Sequence, residues 1–182
     1  MRACRDSFAS KDSANAENLL DKIKHMFYNL SMPAKYILDE EDGIMSHVEM
    51  FWDSVKKEET AILATAAGGS VTMRTVSPVY HEDAILMFTS ATSQKYAQLK
   101  ENASCCIAVG GCFQEAKAEF FGHCMTEDNA ALRAVYEAKH TGAFDEGLEF
   151  GGRESEFILL KPVQLKGWDF QSSPPVPFAY NF

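Results

Sequence analysis

The chain has 182 residues, of which 46% are apolar and 12% aromatic, enough for one sizeable core and too many for a wholly disordered polymer. Its net charge of −9 argues against nucleic acid and anionic membrane surfaces as partners, and no apolar run approaches the roughly 20 residues that span a bilayer. The five cysteines include no C-x-x-C pair and no zinc-ribbon spacing, which points to reduced thiols in a cytoplasmic setting rather than to a metal or disulfide framework.

Residues 1–13 read as a polar leader without the apolar core of a secretory signal. From residue 14 the pattern turns helical, with Leu19, Leu20, Ile23, Met26, Phe27 and Leu30 on one stripe, and a linker runs to residue 44. Residues 45–170 form the main domain. It opens with a short helix carrying Val48, Phe51, Trp52 and Val55. After Glu59 the period shortens to that of strands. Thr60 to Ala66 is mostly apolar, Gly68-Gly69 turns the chain, and Val71 to Tyr80 returns, with Pro78 marking an edge or bulge. A second turn at His81-Glu82-Asp83 leads into Ala84 to Thr89. A helix follows from Ser93 to Glu101, with Tyr96 and Leu99 facing inward.

Ser104 to Val109 and Glu115 to Cys124 are further strands, and Thr126 caps a helix running to His140. A glycine- and acid-rich loop, 141–153, precedes the strands Phe157 to Leu160 and Val163 to Phe170, broken at Pro162. Residues 171–182 form an extended tail of three prolines and the aromatics Phe178, Tyr180 and Phe182, expected to pack over the domain or a partner. About six strands with short turns, and helices only as inserts, predict a mainly β fold. An antiparallel barrel suits this pattern because closure removes sheet edges.

Two segments carry chemistry. Arg74-Thr75-Val76 places an arginine on a strand, and Thr89-Ser90 leads into Ser93-Gln94-Lys95 at the start of a helix. A phosphomonoester needs this set: two cations for the dianion, hydroxyls and free N–H groups to bond it, and the positive end of a helix. Taken singly, an arginine on a strand is often a solvated edge and a serine before a helix only a cap. In this order they point to a bound phosphate.

These residues lead to a family. Residues 45–170 resemble the pyridoxamine 5′-phosphate oxidase-like flavoproteins, the FMN-binding split-barrel group. The likeness rests on Arg74-Thr75-Val76, Phe88-Thr89-Ser90, Ser93-Gln94-Lys95 with Leu99 and Asn102, Cys105-Cys106-Ile107-Ala108, Phe121-Gly122-His123, and Pro162 to Trp168-Asp169-Phe170. It implies a homodimer of six-stranded split barrels with FMN at the subunit interface and a small-molecule substrate. By the same resemblance Arg74, Ser93 and Lys95 match positions that hold the FMN phosphate. Thr89 and Ser90 match positions lining the ribityl chain and phosphate, and the backbone of Arg74 to Val76 follows the flavin edge. Gln94 lies within the same motif. Lys117 falls where the oxidase has a glutamine reaching FMN from the neighbouring subunit, and Trp168 sits where an aromatic approaches the ring.

One departure bears on substrate. The oxidase proper grips the phosphate of its pyridoxal-type substrate with basic residues near the C-terminus. Here Asp169 to Pro175 contains no arginine or histidine. The expectation is therefore an FMN-dependent oxidoreductase acting on a smaller or less charged compound. The alternative is a non-catalytic flavin- or haem-holding barrel, with His81 or His123 as the iron ligand.

Overall fold

A computed structural model describes residues 46–145 and 154–182. The leader, the stripe from Leu19 to Leu30 and residues 146–153 of the acidic loop lie outside the described residues.

Helix α1 spans His47–Lys57 and starts at a capping box. Ser46 Oγ accepts from Glu49 N at 3.2 Å, and Ser46 N donates to Glu49 Oε2 at 2.7 Å. It buries Phe51, Trp52 and Val55. The strands are β1 (Ala61–Ala67), β2 (Ser70–Val76), β3 (Val79–His81) and β4 (Ala84–Ser90). After helix α2 (Gln94–Glu101) come β5 (Ser104–Val109) and β6 (Cys112–His123). A 3-10 turn at Glu127–Asn129 leads into α3 (Ala130–Lys139), then β7 (Ser155–Asp169) and β8 (Val176–Asn181). Every pairing is antiparallel, in the order β2-β1-β5-β6-β7-β4-β3, with β8 on β7. The main core fills the space between sheet and α1, with Phe51, Leu63, Ile85, Leu99, Ile107, Ile158 and Leu165 among its members. The described cysteines are unbridged; Cys105, Cys106 and Cys124 are buried.

Three strand boundaries differ from the sequence expectation. The segment Val71 to Tyr80 is two strands, because Ser77 and Pro78 interrupt the ladder where proline has no N–H to give. The pairing path is open at this point, with β2 and β3 as its two ends. In contrast, Pro162 does not end a strand. It faces Ala116 at a register shift in the β6–β7 ladder, and this irregularity lets β7 run unbroken for fifteen residues. The tail is extended but also pairs: β8 lies along the second half of β7, with Phe178 opposite Gly167. A Cβ at Gly167 would stand 2.5 Å from the Phe178 ring, so the absent side chain is what seats that ring on β7.

The last turn of α3 pins the opening between β2 and β3. Tyr136 donates its hydroxyl to Ser77 O at 3.1 Å. The Lys139 ammonium donates to Val55 O, Glu58 O and Pro78 O at 2.7, 2.6 and 2.8 Å. One lysine thus ties the C-terminal end of α1 to the gap in the sheet.

Gln114 on β6 is fully buried, and neither end of its amide has a hydrogen-bond partner among the described residues. An unsatisfied buried amide costs about 1–3 kcal/mol. Gln114→Met, nearly equal in volume, is accordingly expected to raise the urea midpoint at unchanged slope, a gain of about 1–3 kcal/mol. A lowered midpoint would show that the amide is bonded after all.

Candidate functional site

Strand β2 alternates so that Thr72, Arg74 and Val76 share one face. Across the ladder they meet Thr65, Leu63 and Ala61 of β1. Helix α2 lies over this face and sends down the buried Gln98. Its Oε1 accepts from Thr65 Oγ1 and Thr72 Oγ1, each at 2.7 Å, and from Arg74 Nη2 at 3.1 Å. Arg74 Nη2 also donates to Thr72 Oγ1, while Nη1 donates to Thr65 Oγ1 at 2.5 Å and Leu63 O at 3.5 Å. The guanidinium is thereby fixed by neutral groups alone, and its Nε–H has no partner among the described residues.

Lys95 stands on the first turn of α2, half-buried, close enough to feel this charge. Burial first, and then the neighbouring Arg74, push its ammonium below the ordinary lysine value. Burial likewise lowers the Arg74 guanidinium. Among the described residues neither cation makes an ion pair. Glu156 faces Thr89 across the β4–β7 ladder, but it accepts the Tyr96 hydroxyl at 2.7 Å. Two half-buried like charges without a carboxylate between them are unfavourable unless an anion joins them.

The hydroxyls complete the pattern. Ser93 is the N-cap of α2, its Oγ accepting from Tyr96 N at 3.3 Å and lying 3.2 Å from Thr89 Oγ1. Ser90 Oγ and Thr92 Oγ1 meet at 2.8 Å in the turn before it. The N–H groups of Gln94 and Lys95 have no partner among the described residues, and the first turn holds no acidic residue. Gln94 itself is exposed. Thr75 is exposed on the opposite face of β2, and Val76 is buried at its end.

Arg74, Thr89, Ser90, Ser93 and Lys95 are thus brought together within one chain, and Lys117 and Trp168 are not. Lys117 is exposed on β6 between Ser104 and Lys161. Trp168 lies at the end of β7 opposite the one that meets Ser90. The sequence reading put Thr72 on the face of Arg74 but missed Thr65 and Gln98, which with Thr72 orient the guanidinium. The available signal was a lone threonine in the apolar run Ala61–Ala67 and a glutamine one position before the inward Leu99. Of the histidines, His123 lies at the end of β6, its Nδ1 accepting from Met125 N at 3.2 Å. His81 is half-buried at the end of β3. No group of metal-ligating residues occurs among the described residues, and none of their helices is long and apolar enough to cross a membrane.

No family model matches the chain, and no curated protein matches its sequence. Its shape has clear relatives among solved structures. General stress protein 26 of Bacillus anthracis superposes with a TM-score of 0.57 at 12% identity, over 76% of this chain and all of that one. A pyridoxamine 5′-phosphate oxidase-related, FMN-binding protein of Nostoc punctiforme gives 0.53 at 14% identity, over 75% and 91% of the two chains. The chain folds as a split barrel of the pyridoxamine 5′-phosphate oxidase-like type. A haem-binding protein of Mycobacterium smegmatis, of which the match spans 60%, shares the split barrel with a TM-score of 0.58 at 13% identity, over 77% of this chain. Of these three proteins one is FMN-binding and one haem-binding, and such identities carry the fold alone.

Proposed function

We propose that this split barrel is an FMN-binding flavoprotein that carries out oxidation–reduction on a small molecule. One observation carries the reading: two half-buried cations without acidic partners, beside the hydroxyl-lined start of α2, on a fold shared with an FMN-binding protein. The chemistry of the donor set fits a phosphate monoester. Lys95, the Arg74 Nε–H, the Ser93 and Thr89 hydroxyls and the free N–H groups of α2 would hold it. The flavin, when bound, supplies electron transfer, and the protein supplies position and local electrostatics. In this reading the chain works as a homodimer with the flavin between subunits, where Lys117 and Trp168 of one protomer approach the site of the other. The substrate carries no phosphate of its own, since no arginine or histidine follows Trp168 up to Pro175.

The test is a titration of the purified protein with FMN, riboflavin and haem. FMN is expected to bind at least about tenfold tighter than riboflavin, with a flavin band near about 450 nm in the complex. Preferential haem uptake with a band near about 400 nm would replace this reading with the haem one. Turnover with NADH or NADPH and an acceptor then separates an enzyme from a flavin carrier.

A further inference from the structure

The bed that holds Arg74 is neutral at a place where a carboxylate of the same shape would stand. We propose that Gln98 is the positioning residue that sets what this corner selects. By holding the guanidinium with an amide oxygen, it leaves the arginine's charge uncancelled for a phosphate dianion. The inference rests on the reading of this corner as the flavin-phosphate site.

A count of protons shows how the bed is built. A guanidinium has five N–H bonds. Nη1 donates to Thr65 Oγ1 and Leu63 O, and Nη2 to Thr72 Oγ1 and Gln98 Oε1, neutral oxygens in every case. Each threonine, accepting from the arginine, passes its own O–H to Gln98 Oε1 at 2.7 Å. The bonds of both threonines and of Nη2 therefore end on one amide oxygen of a residue that is 7% exposed. Chemistry settles which end of the amide faces them, since an arginine N–H cannot bond to Nε2, itself a donor.

One carbonyl oxygen with two lone pairs is a crowded acceptor for three donors. Glutamate would bring a second oxygen and a full charge, and half-buried beside an arginine it would form an ion pair. The chain carries the weaker partner, and the consequence is electrostatic. The charge of Arg74 is still felt at Lys95, where it adds to burial in pushing the ammonium down. Glu156, which the β4–β7 register sets opposite Thr89, is held by the Tyr96 hydroxyl at 2.7 Å. With glutamate at position 98 the arginine would be neutralised from within, and the corner would lose much of the attraction that separates a phosphate from a hydroxyl.

The test compares Gln98→Glu and Gln98→Met with the parent chain, titrating each with FMN and riboflavin and melting each with and without inorganic phosphate. Gln98→Glu is expected to melt at or above the parent temperature, because the ion pair forms. It is nevertheless expected to bind FMN about tenfold more weakly or worse, with riboflavin within about threefold. Gln98→Met, which keeps the charge but removes the mooring, should melt lower and yet lose less FMN affinity than Gln98→Glu. A merely structural glutamine would make affinity follow stability instead. Inorganic phosphate reads the corner without flavin: it should raise the melting temperature of the parent and of Gln98→Met, but not of Gln98→Glu. A Gln98→Glu variant that keeps the parent ratio of FMN to riboflavin affinity, or that melts below the parent, overturns the proposal. A parent stabilised by phosphate without preferring FMN overturns the flavin reading and leaves the role of Gln98 standing; a parent that responds to neither overturns both.

Discussion

Replacing Arg74 and Lys95 together by alanine is expected to weaken FMN binding by a hundredfold to ten-thousandfold while leaving riboflavin binding within about threefold. Each cation would give the phosphate a charge-assisted hydrogen bond worth about 1.5–3 kcal/mol, hence about 3–6 kcal/mol for the pair. Riboflavin has the same ring and ribityl chain but no phosphate, so the ratio of the two dissociation constants isolates the headgroup. The fold should survive. Gln98 Oε1 keeps its bonds from Thr65 and Thr72, and both removed side chains are only half-buried. Fluorescence titration of both flavins gives the ratio, and circular dichroism checks the fold. A variant that still prefers FMN as strongly as the parent would show that the anion sits elsewhere.

Lys139→Met is expected to lower stability by about 2–3 kcal/mol, a fall in melting temperature of roughly 4–12 °C for a chain of this size. The ammonium donates to three carbonyls from two segments far apart in sequence, and methionine retains the stem but none of the bonds. Burial lowers the lysine's pKa, an effect that Glu59 and Glu58 partly offset. Calorimetry measures the shift. A change under about 1 °C would mean that water takes over all three bonds without loss. Lys139→Arg, which keeps the charge but reshapes the donor, should fall between the two.

Much of this architecture is local and so legible from the chain. The Gly68-Gly69 turn, the Ser93 cap and the alternation along β6 depend on neighbours within a few residues. The two prolines divide according to context that lies elsewhere. Pro78 interrupts β2 and β3 as a missing donor should, whereas Pro162 is absorbed because β6 shifts register opposite it. That compensation belongs to another strand. The arginine's place on its strand was readable, but the partners that other elements bring to it were not. Thr72 lies beside Arg74 by the alternation of β2, but Thr65 becomes a partner only through the β1–β2 register, and Gln98 reaches Thr65 and Thr72 from 33 and 26 residues away. Trp168 illustrates the converse. Its place on the final long strand was evident, but within one protomer the length of β7 carries it to the far pole, beside Phe178 and His47 rather than Lys95.

The bonds that hold Arg74 also bear on temperature. A free arginine carries about 2 kcal/mol of rotamer entropy, which an incoming anion would have to quench. Here Gln98 and two threonines have already quenched most of it during folding. Capture of a headgroup at this corner would therefore entail little further loss of side-chain motion, and its strength would rest on a geometry that exists before the ligand arrives.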